Sequence, residues 1–315
     1  MKIPHKLDIV IPFLNEVESL PKLVKEIYVT FPRLGALGFE PKILLVDDGS
    51  TDGTSKLIEK MGIKKLEILK LSQNFGHQNA VWAGIENSRK NSHVIVMDGD
   101  GQDPPNELER ICSAFNSSND VVYMFRKSRI DSTLKKFFSK IYYNLLTKLL
   151  GSSSHINVGD FYGISPRAKK SLLSHSEGIK YIRGLLTLIG YKQIILEYDR
   201  LGRKSGKTKY SLNKMFKLAI DGITGFSIRP LLFVSIASFI GLVFGCFLIL
   251  YVIYLKLFSS EYLMTGWAFS IILSTLFSIS ILIILAIISI YMARITQEIK
   301  KRPIYIIEEN TDNEK

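Results

Sequence analysis

The stretch Met97-Asp98-Gly99-Asp100-Gly101-Gln102-Asp103-Pro104-Pro105 directly follows an apolar run, His93-Val94-Ile95-Val96. Carboxylates packed this closely repel one another, so a positive group must sit among them or water must solvate them all. A solvated turn is the simplest reading, but it leaves their position behind a buried strand unexplained. A calcium loop of the EF-hand type would use Asp98, Asp100 and Glu109 as its first, third and twelfth positions. Its sixth position would then be Asp103 instead of glycine, with two prolines following, and the match is poor. The third reading is an Asp-X-Asp site that holds a divalent ion against a diphosphate. Magnesium is usually bound by one or two carboxylates together with substrate phosphates. Asp100 would ligate, while Asp98 would bind sugar or ribose hydroxyls or orient a metal-bound water. Alone, Asp-X-Asp is a weak signal and needs supporting residues.

The elements that must position such a site are legible. Residues 1 to about 125 alternate short apolar runs with amphipathic ones, the mark of a parallel sheet with crossover helices. Expected strands are 8–13, 42–46, 66–71, 93–97 and 120–125. Expected helices are 19–30, with Asn15 and Glu18 spaced as a capping box, then 54–61, 76–88 and 105–115, the last opened by proline. Ligands of such sheets bind beyond the carboxyl ends of the strands. Asp47-Asp48-Gly49-Ser50 and Asp98-Gly99-Asp100 both fall on that edge, which points to one site.

The chain has 315 residues and a formal net charge of +12, which favours an anionic partner: nucleic acid, phospholipid headgroups or phosphorylated substrates. Cys112 and Cys246 lie in dissimilar surroundings, so no disulfide is expected and the soluble part reads as cytosolic. The five histidines show no metal-ligand spacing and read as ordinary surface or core residues. The N-terminus runs straight into Leu7-Asp8-Ile9-Val10-Ile11, so no signal peptide is expected. Leu231–Leu255 and Tyr262–Ala293 contain no charged residue. Each exceeds the roughly 20 residues that cross a bilayer core of about 30 Å. Lys209, Lys214, Lys217 and Arg229 precede the first run, and Arg294, Lys300, Lys301 and Arg302 follow the second. By the positive-inside rule both ends are cytoplasmic and the connection is outside. Much of the positive charge thus lies beside the spans, which argues against nucleic acid. Residues 132–150 form an amphipathic, lysine-flanked stretch that fits either a helix docked on the core or one lying among headgroups. Residues 210–226 run directly into the first span, and there the interfacial reading is favoured. The tail from Glu308 is polar and is expected to be disordered.

The order IPFLNE, VDDGS, LSQNFGHQNAVWAG, MDGDGQDPP, VGDFYG, RKSGKTKY, two spans and ARITQEIKKRPIY resembles the polyprenyl-phosphate glycosyltransferases. These are family 2 enzymes related to dolichol-phosphate mannose synthase, and the likeness is greatest to the bactoprenol glucosyltransferases of O-antigen glucosylation. The resemblance covers nearly the whole chain. It implies an α/β GT-A domain at 1–208, an interfacial helix at 209–229, a transmembrane hairpin at 230–294 and a cytoplasmic tail at 295–315. It also implies a bacterial inner-membrane location, a homo-oligomer such as a tetramer, and Mg²⁺ or Mn²⁺ as cofactor. The implied reaction is inverting transfer of one hexose from a nucleotide sugar, UDP-glucose first, to undecaprenyl phosphate. GDP-mannose, a UDP-N-acetylhexosamine or an aminoarabinose derivative are the alternative donors. Carried onto this chain, Pro12, Asn15 and Glu16 line the nucleoside pocket, Asp48 contacts base or ribose with Asp47 beside it, and Gly76 closes the pocket. Asp98 and Asp100 take the metal and diphosphate, with Gln102 as a further ligand. Asp103 caps the helix start at Pro104-Pro105, and Arg203 clamps the diphosphate. A processive synthase would add Gln-X-X-Arg-Trp, and neither Trp82 nor Trp267 has that context.

A sugar hydroxyl acceptor would need a general base. A polyprenyl phosphate, with a second pKa near about 6, is mostly a dianion at neutral pH and needs cations instead. Arg126, Arg129, Lys135 and Ser139 after the last strand, and Lys207 and Lys209 before the membrane, form an expected phosphate path. Asp160 stands where related transferases place a base. Here it is expected to orient, positioning the sugar or holding Arg183. A non-catalytic scaffold binding anionic lipid is the competing class, but it has no need of Asp48, Asp98, Asp100 and Arg203 together.

Overall fold

The computed structural model describes residues 4–126, 159–175, 182–199, 229–258, 266–300 and 302–312. The chain divides into two compact units. The first draws on the described residues up to Asp199 and again from Arg302 onward, and the second contains the long apolar helices.

In the first unit, strands β1 (His5–Phe13), β2 (Phe39–Asp47), β3 (Leu66–Leu71), β4 (His93–Val96) and β5 (Val121–Arg126) occupy the expected places. Three further strands join them: β6 (Tyr162–Ile164), β7 (Gln193–Tyr198) and β8 (Ile307–Asp312). The eight-stranded sheet has the order β7-β5-β6-β4-β1-β2-β3-β8. The β1, β2, β3 and β4 pairings are parallel, as is β5 with β7, whereas β6 and β8 run antiparallel to their neighbours. Central strands buried on both faces read as continuous apolar runs, and Leu7, Ile9, Val10 and Ile11 of β1 are all fully buried.

Helices α1 (Leu20–Ala36), α2 (Thr54–Glu59), α3 (His77–Asn87) and α4 (Glu107–Asn116) follow β1 to β4, and α5 (Pro166–Leu173) and α6 (Ile182–Leu188) precede β7. Helix α1 outruns its expected end at Thr30, because the apolar face Leu20, Leu23, Val24, Ile27 continues to Leu34 and is buried throughout. That burial carries the helix past Pro32. The capping box does not form. Ser19 occupies the N-cap but its hydroxyl makes no capping bond, and the side chain of Asn15 (φ 57°) instead accepts the Thr51 N–H at 2.8 Å. Asp103 does not cap α4 either. The N-cap is Asn106, and the Asp103 carboxylate accepts the Tyr198 hydroxyl at 2.6 Å.

The polar tail is not disordered through its length, since β8 covers the outer edge of β3. Its sequence Ile307-Glu-Glu-Asn-Thr-Asp carries no apolar pattern, so backbone pairing with an open sheet edge holds it in place. The Ile306 carbonyl accepts the Ser72 N–H at 2.9 Å, and the Tyr305 hydroxyl donates to Glu86 Oε2 at 2.9 Å.

In the second unit, α7 (Arg229–Phe258) and α8 (Gly266–Ile299) contain 30 and 34 residues. Among the described residues one helix is long and apolar enough to cross a membrane, α8 over Leu273–Ala293, and α7 carries the shorter apolar stretch Val234–Phe247. The amphipathic stretches 132–150 and 210–226 lie outside the described residues.

Helix α3 lies directly on β1 and β2 through Gly84. A Cβ at that position would stand 2.3 Å from Val10 Cγ1 and 2.9 Å from Val46 Cγ2. Gly84→Ala should therefore overpack the core and cost about 1–3 kcal/mol. Thermal melting of the detergent-solubilised protein should show the midpoint lowered by several degrees, and an unchanged midpoint would refute the close packing.

Candidate active site

The carboxyl ends of β1, β2, β4 and β5 open onto one rim, and nearly every described candidate residue lies there. Pro12 closes β1, and Gly99 of the acidic loop packs against its carbonyl, where a Cβ would stand only 3.1 Å away. Half-buried Glu16 bonds the Ser19 hydroxyl, which also donates to the Gly99 carbonyl at 3.3 Å. The Asn15 N–H donates to Ser50 Oγ at 3.0 Å, so the loops after β1 and β2 are stitched together.

Asp47 and Asp48 divide their work. Asp47 is 1 % exposed, accepting the Ser50 N–H at 2.7 Å and the Ser55 hydroxyl, so its carboxylate braces the loop. Asp48 accepts the N–H groups of Phe75 and Gly76 at 2.7 and 3.0 Å and thereby anchors the entry to α3. Burial raises its carboxyl pKa, while those two N–H groups pull the other way. Gly76 is required for its backbone. Its φ is 94°, and nothing lies within 4 Å of where a Cβ would stand, so tight packing is not the reason for glycine here.

The acidic loop meets the start of α3 and the residue just before β6. His77 Nε2 lies 3.4 Å from Asp160 Oδ2 and 3.8 Å from Asp98 Oδ1. Arg183 of α6 grips Asp160 with both ends of its fork, Nε to Oδ1 at 2.8 Å and Nη2 to Oδ2 at 2.5 Å. Gln78 Nε2 adds a contact to Oδ1 at 3.4 Å. Burial opposes ionisation of Asp160, but the His77 hydrogen bond and the Arg183 charge outweigh it and hold the carboxyl well below its ordinary range. For Asp98 the balance is opposite: burial first, and then the Asp160 charge, raise its pKa. Burial lowers the His77 pKa, yet its bond to Asp160 and the two carboxylate charges raise it on balance. Asp160 is thus a carboxylate engaged by Arg183, His77 and Gln78, and its lowered pKa makes it a weak base.

Asp100 accepts the Gln102 N–H at 3.1 Å and its side-chain Nε2 at 2.8 Å, so the two proposed ligands are paired with each other. The atoms His77 Nε2, Asp98 Oδ and Asp160 Oδ all lie within 4.8 Å of one another, a donor set of carboxylate oxygen and imidazole nitrogen that a divalent ion accepts. Arg183 already holds both Asp160 oxygens, and Asp98 is the other carboxylate of this set. Asp98 is half-buried among like charges, and a cation would relieve that repulsion.

Arg126 ends β5 and is half-buried, with Nε donating to the Tyr198 hydroxyl at 3.2 Å. Arg129, Lys135, Ser139, Arg203, Lys207 and Lys209 lie outside the described residues. His77 was missed because no ligand spacing along the chain marks it. Its position immediately after Asn74-Phe75-Gly76, at a helix start on the carboxyl rim, was the available signal. Tyr198 had no signal at all, since it enters through the unexpected β7.

Comparison with known proteins agrees with this geometry. The model of glycosyl transferase family 2 matches residues 8–173. The uncharacterized glycosyltransferase YkcC of Bacillus subtilis (strain 168) is 35% identical over 309 residues, 96% of this chain and 93% of that protein. The prophage bactoprenol glucosyl transferase homolog of Escherichia coli (strain K12) is 31% identical over 308 residues, 96% of this chain and 98% of that protein. Among solved structures, glucosyl-3-phosphoglycerate synthase from Mycobacterium tuberculosis, in complex with Mn²⁺, UDP and phosphoglyceric acid, superposes with a TM-score of 0.52. It covers 70% of this chain and 76% of that one at 16% identity, a likeness of fold. The sheet, its acidic rim and these relatives together place the chain in glycosyl transferase family 2, as a GT-A-like glycosyltransferase related to the bactoprenol glucosyltransferases.

Proposed function

We propose that the protein transfers one hexose, glucose from UDP-glucose, to undecaprenyl phosphate with inversion, at the cytoplasmic face of the bacterial plasma membrane. One observation carries this reading: the carboxylate in the base position, Asp160, has both oxygens held by Arg183, which with His77 keeps its pKa well below the ordinary carboxylate range. An acceptor that must lose a proton would meet only a weak base there, whereas an ionised phosphate needs none. Arg126 supplies positive charge on the same rim. Asp98 and Asp100 would hold Mg²⁺ or Mn²⁺, which when bound neutralises the charge that develops on a leaving diphosphate. Asp48 fixes the loop and helix start that bound the nucleoside side, with Pro12, Asn15 and Glu16 opposite, and Asp47 supports it from beneath. Arg183 and His77 keep Asp160 aimed at the sugar side of the site.

The topology supports membrane anchoring by a hairpin. The chain leaves the first unit after Lys209 and re-enters it at Arg302, and β8 then completes its sheet. A folded unit on one side of a bilayer requires an even number of crossings between those points. Helix α8 supplies one, and α7 is proposed to supply the other. Anchoring confines the search for a lipid acceptor to the membrane plane.

Purified protein incubated with undecaprenyl phosphate and a panel of labelled nucleotide sugars should give one labelled lipid, from UDP-glucose, and none in EDTA. A lipid product from another donor alone would change the sugar, and none from any donor would reject the reading. Asp100→Ala should lower transfer by more than 100-fold with either metal. Asp160→Asn should lose at least tenfold in rate while the pH profile keeps its shape, and loss of its basic limb would restore the base assignment. For topology, a single cysteine at Ser260 should react with an impermeant maleimide in intact cells, and one at Thr311 only after permeabilisation. Equal labelling of both would exclude the hairpin.

A further inference from the structure

The bracket behind Arg126 gives the site a property that neither the acidic motif nor the basic path contains. We infer that Tyr198 and Asp103 are positioning residues that hold Arg126 in its phosphate-binding orientation and tie it to the metal-binding loop. The inference deepens, and rests on, the reading of Arg126 as an acceptor cation.

Arg126 and Tyr198 are register partners on the parallel strands β5 and β7. The Arg126 Nε donates to the phenol oxygen at 3.2 Å, and the phenol donates to Asp103 Oδ1 at 2.6 Å. The direction of this chain is set by chemistry: a guanidinium only donates, so the phenol oxygen accepts from Arg126 and its one proton is directed to Asp103. Both ends are rigid. Asp103 is fully buried and Tyr198 is 2 % exposed, with the Phe161 ring packed edge-on at 5.5 Å and 86°. On the other side the guanidinium lies against Gly159, where a Cβ would stand 3.4 Å from Nη2.

With Nε committed to Tyr198, the Nη groups are the part of the fork left to meet an anion. An unrestrained arginine loses rotamer entropy when it is fixed, and this bracket removes part of that entropy before the phosphate arrives. Asp103 also lies three residues beyond Asp100 on the same loop. Any adjustment of that loop on metal and donor binding is therefore passed through the phenol to Arg126. The donor side and the acceptor side thus share one hydrogen-bonded connection.

The test uses the full-length protein in detergent and a short-chain isoprenyl phosphate, whose affinity is measured by calorimetry in the presence of Mn²⁺ and UDP. Tyr198→Phe keeps the ring and deletes both bonds. It should weaken isoprenyl phosphate binding about tenfold while leaving Mn²⁺–UDP affinity within twofold, which also shows that the variant is folded. Arg126→Ala should weaken binding at least as much, and adding Tyr198→Phe to it should change nothing further. Asp103→Asn retains an oxygen to accept the phenol proton and should stay within threefold of the unaltered protein. The acceptor KM should move with these affinities, with kcat changed less. Binding within twofold in Tyr198→Phe, additivity with Arg126→Ala, or equal loss of Mn²⁺–UDP affinity would each overturn the bracket. Calorimetry needs no turnover, so a protein that makes no lipid product fails the functional reading while the bracket is still judged on its own.

Discussion

Carboxylates crowded at the carboxyl rim of a parallel sheet cannot coexist without counter-charge, and the rest of this site is arranged around that constraint. Asp98 and Asp160 converge from opposite directions, one behind β4 and the other ahead of antiparallel β6. The protein answers them unequally. Asp160 receives Arg183 in a two-pronged grip and His77 besides, which keep it charged and occupied. Asp98 is left in a surrounding where burial and its neighbours disfavour its charge. That imbalance fits the proposed cation site: a metal near Asp98 would relieve the repulsion that the protein's own cations relieve at Asp160.

Helix α3 connects this rim to the far end of the chain. Its start is fixed by the Asp48 carboxylate and presents His77 and Gln78 to Asp160. Its last turn carries Glu86, which accepts both Trp82 Nε1 and the Tyr305 hydroxyl, and Asn87, which donates to the same phenol. Between those ends Gly84 lets the helix press onto β1 and β2. The segment that follows the membrane helix is thus bonded to the same rigid rod that presents the site.

The acceptor chemistry explains what would otherwise be an odd site. A half-buried carboxylate in the base position with so low a pKa would be a defect in an enzyme for sugar hydroxyls. With an acceptor that is already an anion, the work passes to positive charge and orientation. On the proposed reading Arg126 would meet that need from the end of β5, and its support comes from two residues with no charge of their own to offer a phosphate favourably. Tyr198 is neutral, and Asp103 is kept fully buried behind it.

Much was determined by the sequence alone. Continuous apolar runs identified the five parallel strands to within a few residues, because a strand buried on both faces must be apolar at every position. The order of acidic and glycine motifs marked Asp48, Asp98 and Asp100, since residues on the carboxyl ends of such strands must share one rim. Tertiary structure decided the remainder. Strand β8 is polar and forms only because an open edge of β3 supplies hydrogen-bond partners. His77 joins the site through a helix start that only the bonds to Asp48 orient, and Tyr198 reaches Asp103 across 95 positions of sequence. Asn15, Asp47 and Asp103 carry types that fit several roles, caps and ligands alike. Which role each one fills depends on the donor that packing brings within 3 Å, and no local pattern contains that information.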